Sequence, residues 1–346
     1  MYFLVFSLSD NIPRTTEIIP IGSKSKNFVI DEENLKIEFD YLTMYIDKDE
    51  KHKSELLEQN KELDRYKDIR CNKNNSITLG VESKYINASN IGVIFRTNYF
   101  ITTQAPKTNT IEDFWRMIYQ EKTKVVIMLC NFEEGGKKKC ANYLPSENNQ
   151  NNQNFQNAQN FQNVQNNQNN QNNQNAQNAQ NDQNDQNIQN EIKVNLIRKE
   201  VYEEFDIRTL ELELNNDKRT VTHIHYKKWP DKGVPDMNSF NTFEEIIKIV
   251  DQINKSKHDK EKENEFHPIV VHCSAGVGRT GTFISMFCLY KEIKMAQIDK
   301  RMVNSIQFNI FNLVRKMKEM RLYMVQTFEQ YKFVYQFAQY LLNKYN

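Results

Sequence analysis

The chain of 346 residues carries almost no net charge, with 46 Lys and Arg against 45 Asp and Glu. That balance excludes bulk electrostatic attraction to nucleic acid or to an acidic membrane surface. Cysteine is scarce and odd in number, five residues without close pairing. A reducing compartment therefore fits better than a disulfide scaffold. No apolar run is long enough to cross a bilayer. Met1–Leu8 is apolar but short, lacks a basic n-region and has no clear cleavage site, so no signal peptide is expected. Tyr2 excludes N-myristoylation, and Asn343-Lys344-Tyr345-Asn346 carries no prenylation box. His223 and His225 share one face of an alternating stretch, but no third ligand of suitable spacing follows them. These absences leave a soluble, cytoplasmic, monomeric protein with no membrane span, nucleic-acid partner, metal or cofactor as the expectation.

What the sequence does contain centres on Val271-His272-Cys273-Ser274-Ala275-Gly276-Val277-Gly278-Arg279-Thr280-Gly281. The β-branched run Ile269-Val270-Val271 leads in, and an apolar helical pattern follows from Thr280. A Cys and an Arg thus lie on a loop between a buried strand and a helix. The glycines let successive N–H groups from Ser274 through Gly278 converge on one point, to which the helix N-terminus adds its own donors. Arg279 supplies a planar fork suited to two phosphate oxygens. Cys273 sits at the floor of this anion site, where the local field favours a thiolate nucleophile.

Along the rest of the chain, residues 1–30 show no period and are expected to be poorly ordered. Residues 31–66 carry Leu35, Ile37, Phe39, Leu42, Ile46, Leu56, Leu57 and Leu63 in a charged background, which predicts one or two amphipathic helices, with a solvated coil as the alternative around Asp47–Lys53. Tyr85–Ala88, Val93–Phe95, Phe100–Thr103, Val125–Leu129, Val194–Arg198, Phe205–Leu214 and Val221–Tyr226 are predicted strands. Thr110-Ile111-Glu112-Asp113 is predicted to cap a helix through Phe114, Trp115 and Ile118. Further helices are expected over Phe240–Ile253, from Thr280, and over Ile306–Met320, and Lys255–Glu265 reads as a charged loop. Residues 146–190 are almost pure Asn and Gln. Such a tract has too little apolar surface to offset the entropy of ordering, so it is expected to be a disordered insertion within one domain spanning 31–346. Loop-closure entropy grows slowly with length, which makes the insertion tolerable.

Several of these stretches together resemble the protein tyrosine phosphatase family. The loop VHCSAGVGRTG is similar to its signature loop, Tyr85-Ile86-Asn87-Ala88 to its YINA strand, and Thr103-Gln104-Ala105-Pro106 to its TQGP turn with Ala for Gly. Trp229-Pro230-Asp231-Lys232-Gly233-Val234-Pro235 matches the WPDxGVP lid, and Gln326-Thr327-Phe328-Glu329-Gln330-Tyr331-Lys332-Phe333 matches QTxxQYxF. Asp64-Arg65-Tyr66-Lys67-Asp68-Ile69 resembles the substrate loop, although Cys71-Asn72-Lys73 replaces its usual proline-aromatic-aspartate turn. The stretch from Glu133 to Tyr143 resembles the loop ending KCxxYxP. The fold this implies is α/β, a single domain with a highly twisted mixed β-sheet flanked by helices.

The resemblance also assigns roles. Cys273 is the nucleophile, Asp231 the general acid, Arg279 the phosphate clamp, Thr280 a donor to the Cys273 thiolate, and Gln326, with Gln330, the orienting group for water. Tyr66 stacks on the phosphotyrosine ring, and Asp68 accepts from the substrate backbone. Ser274, Ala275, Gly276, Val277 and Gly278 line the cradle. Counting back from Cys140 places Glu134 as the carboxylate on Arg279, with Glu133 the alternative. Lys139 lies near the closed lid, Tyr143 near His272, and Trp229 anchors the lid. Tyr323 stands where several family members carry Gly, at a gateway beside the pocket. The implied activity is hydrolysis of phosphotyrosine in proteins through a phosphocysteine intermediate, without metal or cofactor. The alternatives are a catalytically impaired phosphotyrosine-binding module and a broader dual-specificity phosphatase.

Overall fold

The three strands of this chain that are buried at every residue lie side by side at the centre of its sheet. The computed structural model describes residues 30–48, 56–93, 99–146, 191–230, 233–255, 267–299 and 308–345. Its main sheet has eight strands in the spatial order β1-β2-β3-β10-β4-β9-β8-β7. These are β1 (Ser76–Leu79), β2 (Lys84–Ile91), β3 (Phe100–Thr103), β4 (Val125–Met128), β7 (Lys193–Val201), β8 (Phe205–Leu214), β9 (Asp217–Tyr226) and β10 (Ile269–His272). A two-residue hairpin, β5 (Glu133–Glu134) with β6 (Lys137–Lys138), stands apart.

At the centre, β3, β10, β4 and β9 run parallel. Every residue of β3, β4 and β10 is buried, as parallel strands covered on both faces require. Antiparallel pairs flank them on both sides, and β7 and β8 show the mixed burial of a sheet partly open to water. The functional loop leaves the C-terminal end of β10, the place where open α/β sheets collect their ligands.

The helices are α1 (Glu32–Lys48), α2 (Ile111–Gln120), α3 (Phe240–Lys255), α4 (Gly278–Ile298), α5 (Ile310–Met320) and α6 (Phe328–Tyr345). The helix after the signature loop, α4, is buried along most of its length and packs on α3, α5 and α6. Sequence and structure differ at two helix starts. The stretch Leu56–Tyr66 is not helical: Leu56 bridges to Asn72, and Asn60 closes a turn through Asp64. The Thr110 hydroxyl does not cap α2. It accepts from Lys107 N–H at 2.9 Å and so closes the 3₁₀ turn that precedes the helix. The expectations for residues 1–29, the Asn/Gln tract from 147, the 256–265 loop and most of Val93–Phe95 lie outside the described residues.

The C-terminal helix is tied to α3 by one carboxylate. Glu244, fully buried, accepts from Tyr340 Oη at 2.6 Å, Lys344 Nζ at 2.8 Å and Tyr345 Oη at 2.5 Å, and also pairs with Lys248. Burial alone would raise its pKa, but these bonds outweigh burial and hold it down to about 2, from an ordinary 4.5. A depressed carboxylate pKa stabilises the fold above the unfolded value and ceases to do so as pH falls through the folded one. Glu244 should therefore contribute about 3 kcal/mol at neutral pH, lost between about pH 4.5 and 2. In Glu244→Gln, urea denaturation should show lower stability at pH 7 and a flatter dependence below pH 4.5. A slope identical to that of the parent would remove Glu244 as its source.

Candidate active site

Two strand ends and a helix start place the nucleophile. The Leu129 N–H donates to His272 O at 2.9 Å and the Ala105 N–H to Ser274 O at 2.9 Å, which pins the chain on either side of Cys273. Cys273 is buried, and its Sγ accepts from Gly276 N–H at 3.3 Å. Gly276 has φ +71°, and a Cβ there would stand 2.0 Å from Thr103 O, so the loop closes against β3 only because this residue is glycine. Gly278 opens α4, and a Cβ there would lie 2.9 Å from Gln330 Oε1. Ser274, Ala275, Gly276, Val277 and Gly278 thus curve from strand to helix, and Arg279 lies in the first turn of α4.

The guanidinium of Arg279 is held by two parallel bonds, Nη1 to Glu134 Oε1 at 2.6 Å and Nη2 to Glu134 Oε2 at 2.7 Å, and Nη1 also reaches Leu129 O at 3.2 Å. Of the two carboxylates left open by the sequence, Glu134 makes this pair and Glu133 is exposed. The cause is local: β5 and β6 join through Gly135 and Gly136 at φ +54° and +71°, and strand alternation then turns only one Glu inward. Burial alone would lower the Arg279 pKa. The Glu134 bond and the charge of Cys273 outweigh it and raise it instead.

Behind the nucleophile stands a row of neutral histidines. His272 Nδ1 donates to Cys273 O at 3.1 Å, which leaves Nε2 to accept from Tyr143 Oη at 2.6 Å, and His223 Nε2 donates to that same hydroxyl at 2.7 Å. Burial pushes the His272 pKa down to about 3 and that of His223 well below its ordinary value. His225 Nε2 donates to Cys130 O at 2.9 Å. His223 and His225 therefore use their Nε2 atoms inside the protein.

At the rim, Tyr66 Oη donates to Ser274 Oγ at 2.8 Å, and Ser274 Oγ in turn donates to Lys139 O at 2.9 Å. Arg65 ties the same segment down through Ala105 O at 3.0 Å and Pro106 O at 2.6 Å, and Asp68 is left exposed beside it. The lid begins at Trp229, which is buried and donates Nε1–H to Gly233 O at 3.3 Å. Asp231 between them lies outside the described residues.

Two expected contacts take another form. The Thr280 hydroxyl is buried with no hydrogen-bond partner among the described residues, so Gly276 N–H and not Thr280 meets the sulfur. Gln330 Oε1 accepts from Gln326 N–H at 2.8 Å and Thr327 N–H at 3.3 Å, capping the start of α6. Gln326, exposed at the edge of the signature loop, is then the amide that faces solvent. Tyr323 is half-buried against the core with φ +64°, the backbone region that glycine adopts most readily. A residue the sequence reading did not single out, Arg321, is fully buried against the same loop.

The chain is similar to several known proteins. The chain is 29% identical over 292 residues to human tyrosine-protein phosphatase non-receptor type 12, covering 83% of this chain and 31% of that protein. It is 30% identical over 286 residues to human tyrosine-protein phosphatase non-receptor type 9, covering 80% of this chain and 41% of that protein. The chain thus spans less than half the length of these relatives. The solved catalytic domain of human protein tyrosine phosphatase non-receptor type 18 shares its fold, with a TM-score of 0.66, 24% identity, and 89% of this chain and 96% of that one covered. No helix among the described residues is long and apolar enough to cross a membrane. The family model for protein-tyrosine phosphatase matches residues 60–188 and 164–340, and the chain belongs to that family.

Proposed function

We propose that the chain hydrolyses phosphotyrosine in proteins through a phosphocysteine intermediate. The observation that carries this reading is the juxtaposition of Cys273, which accepts from Gly276 N–H, with an Arg279 guanidinium locked in place by Glu134. Loop N–H groups and Arg279 take the three equatorial phosphoryl oxygens, and the Cys273 thiolate attacks phosphorus in line. As the S–P bond forms, the P–O bond to the tyrosine breaks, and Asp231 gives its proton to the departing phenolate. A water oriented by Gln326 then attacks phosphorus, Asp231 takes its proton, and phosphate leaves with Cys273 restored as thiolate. Five free cysteines, the nucleophile among them, support placing this chemistry in the cytoplasm.

Selectivity for tyrosine rests on Tyr66. Its hydroxyl is anchored on Ser274, so its ring stands fixed at the mouth of a recessed cradle, where an aryl phosphate reaches the floor and stacks while a shorter alkyl phosphate does neither. A phosphotyrosine peptide should be turned over with kcat/KM at least about a thousandfold above its phosphoserine analogue. Comparable values for the two would favour the dual-specificity reading.

The acid role of Asp231 is tested by pH. In Asp231→Asn, kcat should fall about a hundredfold or more, the usual scale for losing general acid catalysis. The parent should lose activity at alkaline pH as Asp231 gives up the proton it must donate, and the variant should lack that limb. An alkaline limb preserved in the variant would transfer the role to another group.

A further inference from the structure

Arg321 is a cation placed in the interior without a carboxylate in contact among the described residues. A buried charge is costly unless every donor is satisfied, and here all five N–H groups are used. Nη1 donates to Cys71 Sγ at 3.3 Å and Ser89 Oγ at 3.2 Å, and Nη2 to Asn87 Oδ1 at 2.7 Å. The remaining two reach the signature loop: Nη2 to Ala275 O at 3.2 Å and Nε to Gly276 O at 3.0 Å. One edge of the guanidinium is thus fixed to Cys71 and β2, and the other to the loop that carries the nucleophile.

The Ala275 carbonyl and the Gly276 N–H are two ends of one planar trans peptide, pointing in opposite directions. A cation on the carbonyl therefore both aims that N–H and strengthens it as a donor. That N–H is the one at 3.3 Å from Cys273 Sγ. The next peptide is treated alike, since Arg321 Nε holds Gly276 O and so turns Val277 N–H the other way. A third carbonyl, Val277 O, accepts from Val325 N–H at 3.4 Å. Three successive loop carbonyls are thus held from behind, which leaves their N–H partners facing the cradle.

The segment that delivers these contacts is strained. Tyr323 and Val325 have φ of +64° and +54°, and a β-branched residue there is a true outlier. Such conformations persist where the surroundings over-determine them. We propose that Arg321 is a positioning residue for Cys273, acting through the Ala275–Gly276 peptide to stabilise the thiolate that attacks phosphorus. The inference rests on the reading of Cys273 as nucleophile and adds a second cation to Arg279, one that never touches substrate.

The groups that face Cys273 and Arg321 bear on the test. Among the described residues, Cys273 has Arg279 with Glu134 on one side, His272 beside it and the Cys130 thiol close by. The hydrogen bond with Cys140 and burial push the Cys130 thiol up, and burial keeps His272 neutral, so neither titrates near neutral pH. Around Arg321, Asp64 lies one bridge away through Asn87 Nδ2 at 2.8 Å, with Tyr85 on the same carboxylate oxygen.

The experiment is the pH dependence of iodoacetamide alkylation at Cys273, located by peptide mass, with no substrate present. In Arg321→Met the midpoint should rise by about one unit, a roughly tenfold slower reaction at a pH below it. Arg321→Lys keeps a cation that reaches only one carbonyl at a time and should show a smaller rise. A change in fold stability alone would lower the melting temperature without moving the midpoint. An Arg321→Met protein with the parental midpoint overturns the proposal. Where that variant does not fold, Arg321→Lys and Ser89→Ala decide, and parental midpoints in both overturn it equally. A parent in which Cys273 resists alkylation below pH 8 would instead overturn Cys273 as the nucleophile.

Discussion

Cys273→Ser is expected to reduce turnover of a phosphotyrosine peptide by roughly five orders of magnitude or more, while the dissociation constant for the same peptide changes only a few-fold. The two parts of this result have separate origins. Attack on phosphorus needs an ionised nucleophile, and a serine hydroxyl in the same place stays protonated at neutral pH. Binding depends on groups the substitution leaves alone: the loop N–H donors, the α4 N-terminus, and the Arg279 fork on Glu134. Gly276 N–H, which meets the sulfur at 3.3 Å, can meet the smaller hydroxyl oxygen instead. Isothermal titration beside steady-state turnover separates the two. Residual turnover within about a hundredfold of the parent would mean that another group attacks phosphorus. A loss of binding equal to the loss of turnover would mean that the thiolate holds the cradle open.

What was legible in the sequence is what is local. The strand–loop–helix around Cys273 could be read because its apolar run, glycines and arginine are contiguous, and β3 and β8 fall on their predicted residues for the same reason. The Glu134 pair needed only the strand alternation set by the Gly135-Gly136 turn. Arg321 could not be found this way. Its partners stand at positions 71, 87, 89, 275 and 276, and nothing within a helical turn of it signals which groups it meets. The one hint of its burial was the apolar run Leu322–Val325 that follows it, just before Gln326. Leu56, Leu57 and Leu63 misled because helical spacing of leucines also fits a chain that crosses the core edge in turns, as the Leu56–Asn72 bridge does. Thr110 misled because the same hydroxyl can cap an α-helix or close the turn before it.

Gly276→Ala should lower kcat/KM by about a thousandfold, whereas Gly278→Ala, two residues on, should cost about tenfold or less. The added Cβ at Gly276 would stand 2.0 Å from Thr103 O, 2.4 Å from Thr103 C and 2.9 Å from Gln104 N, all backbone atoms. Thr103 cannot retreat, since it is paired with Ala88 of β2 on one side and His272 of β10 on the other. The loop must therefore move away from β3, which disturbs the bonds by which Arg321 holds Ala275 O and Gly276 O. The φ of +71° adds a further cost for any residue with a Cβ. A shift of about an ångström carries the Gly276 N–H off the sulfur and the cradle out of register with the phosphoryl oxygens. At Gly278 the nearest atoms belong to the Gln330 side chain, at 2.9 and 3.0 Å, and a side chain can turn aside where a strand cannot. Both variants are to be assayed with a phosphotyrosine peptide and with Cys273 alkylation at fixed pH. Equal losses in the two would show that crowding at β3 does not set the loop's position, and alkylation unchanged in Gly276→Ala would remove its N–H from the stabilisation of the thiolate.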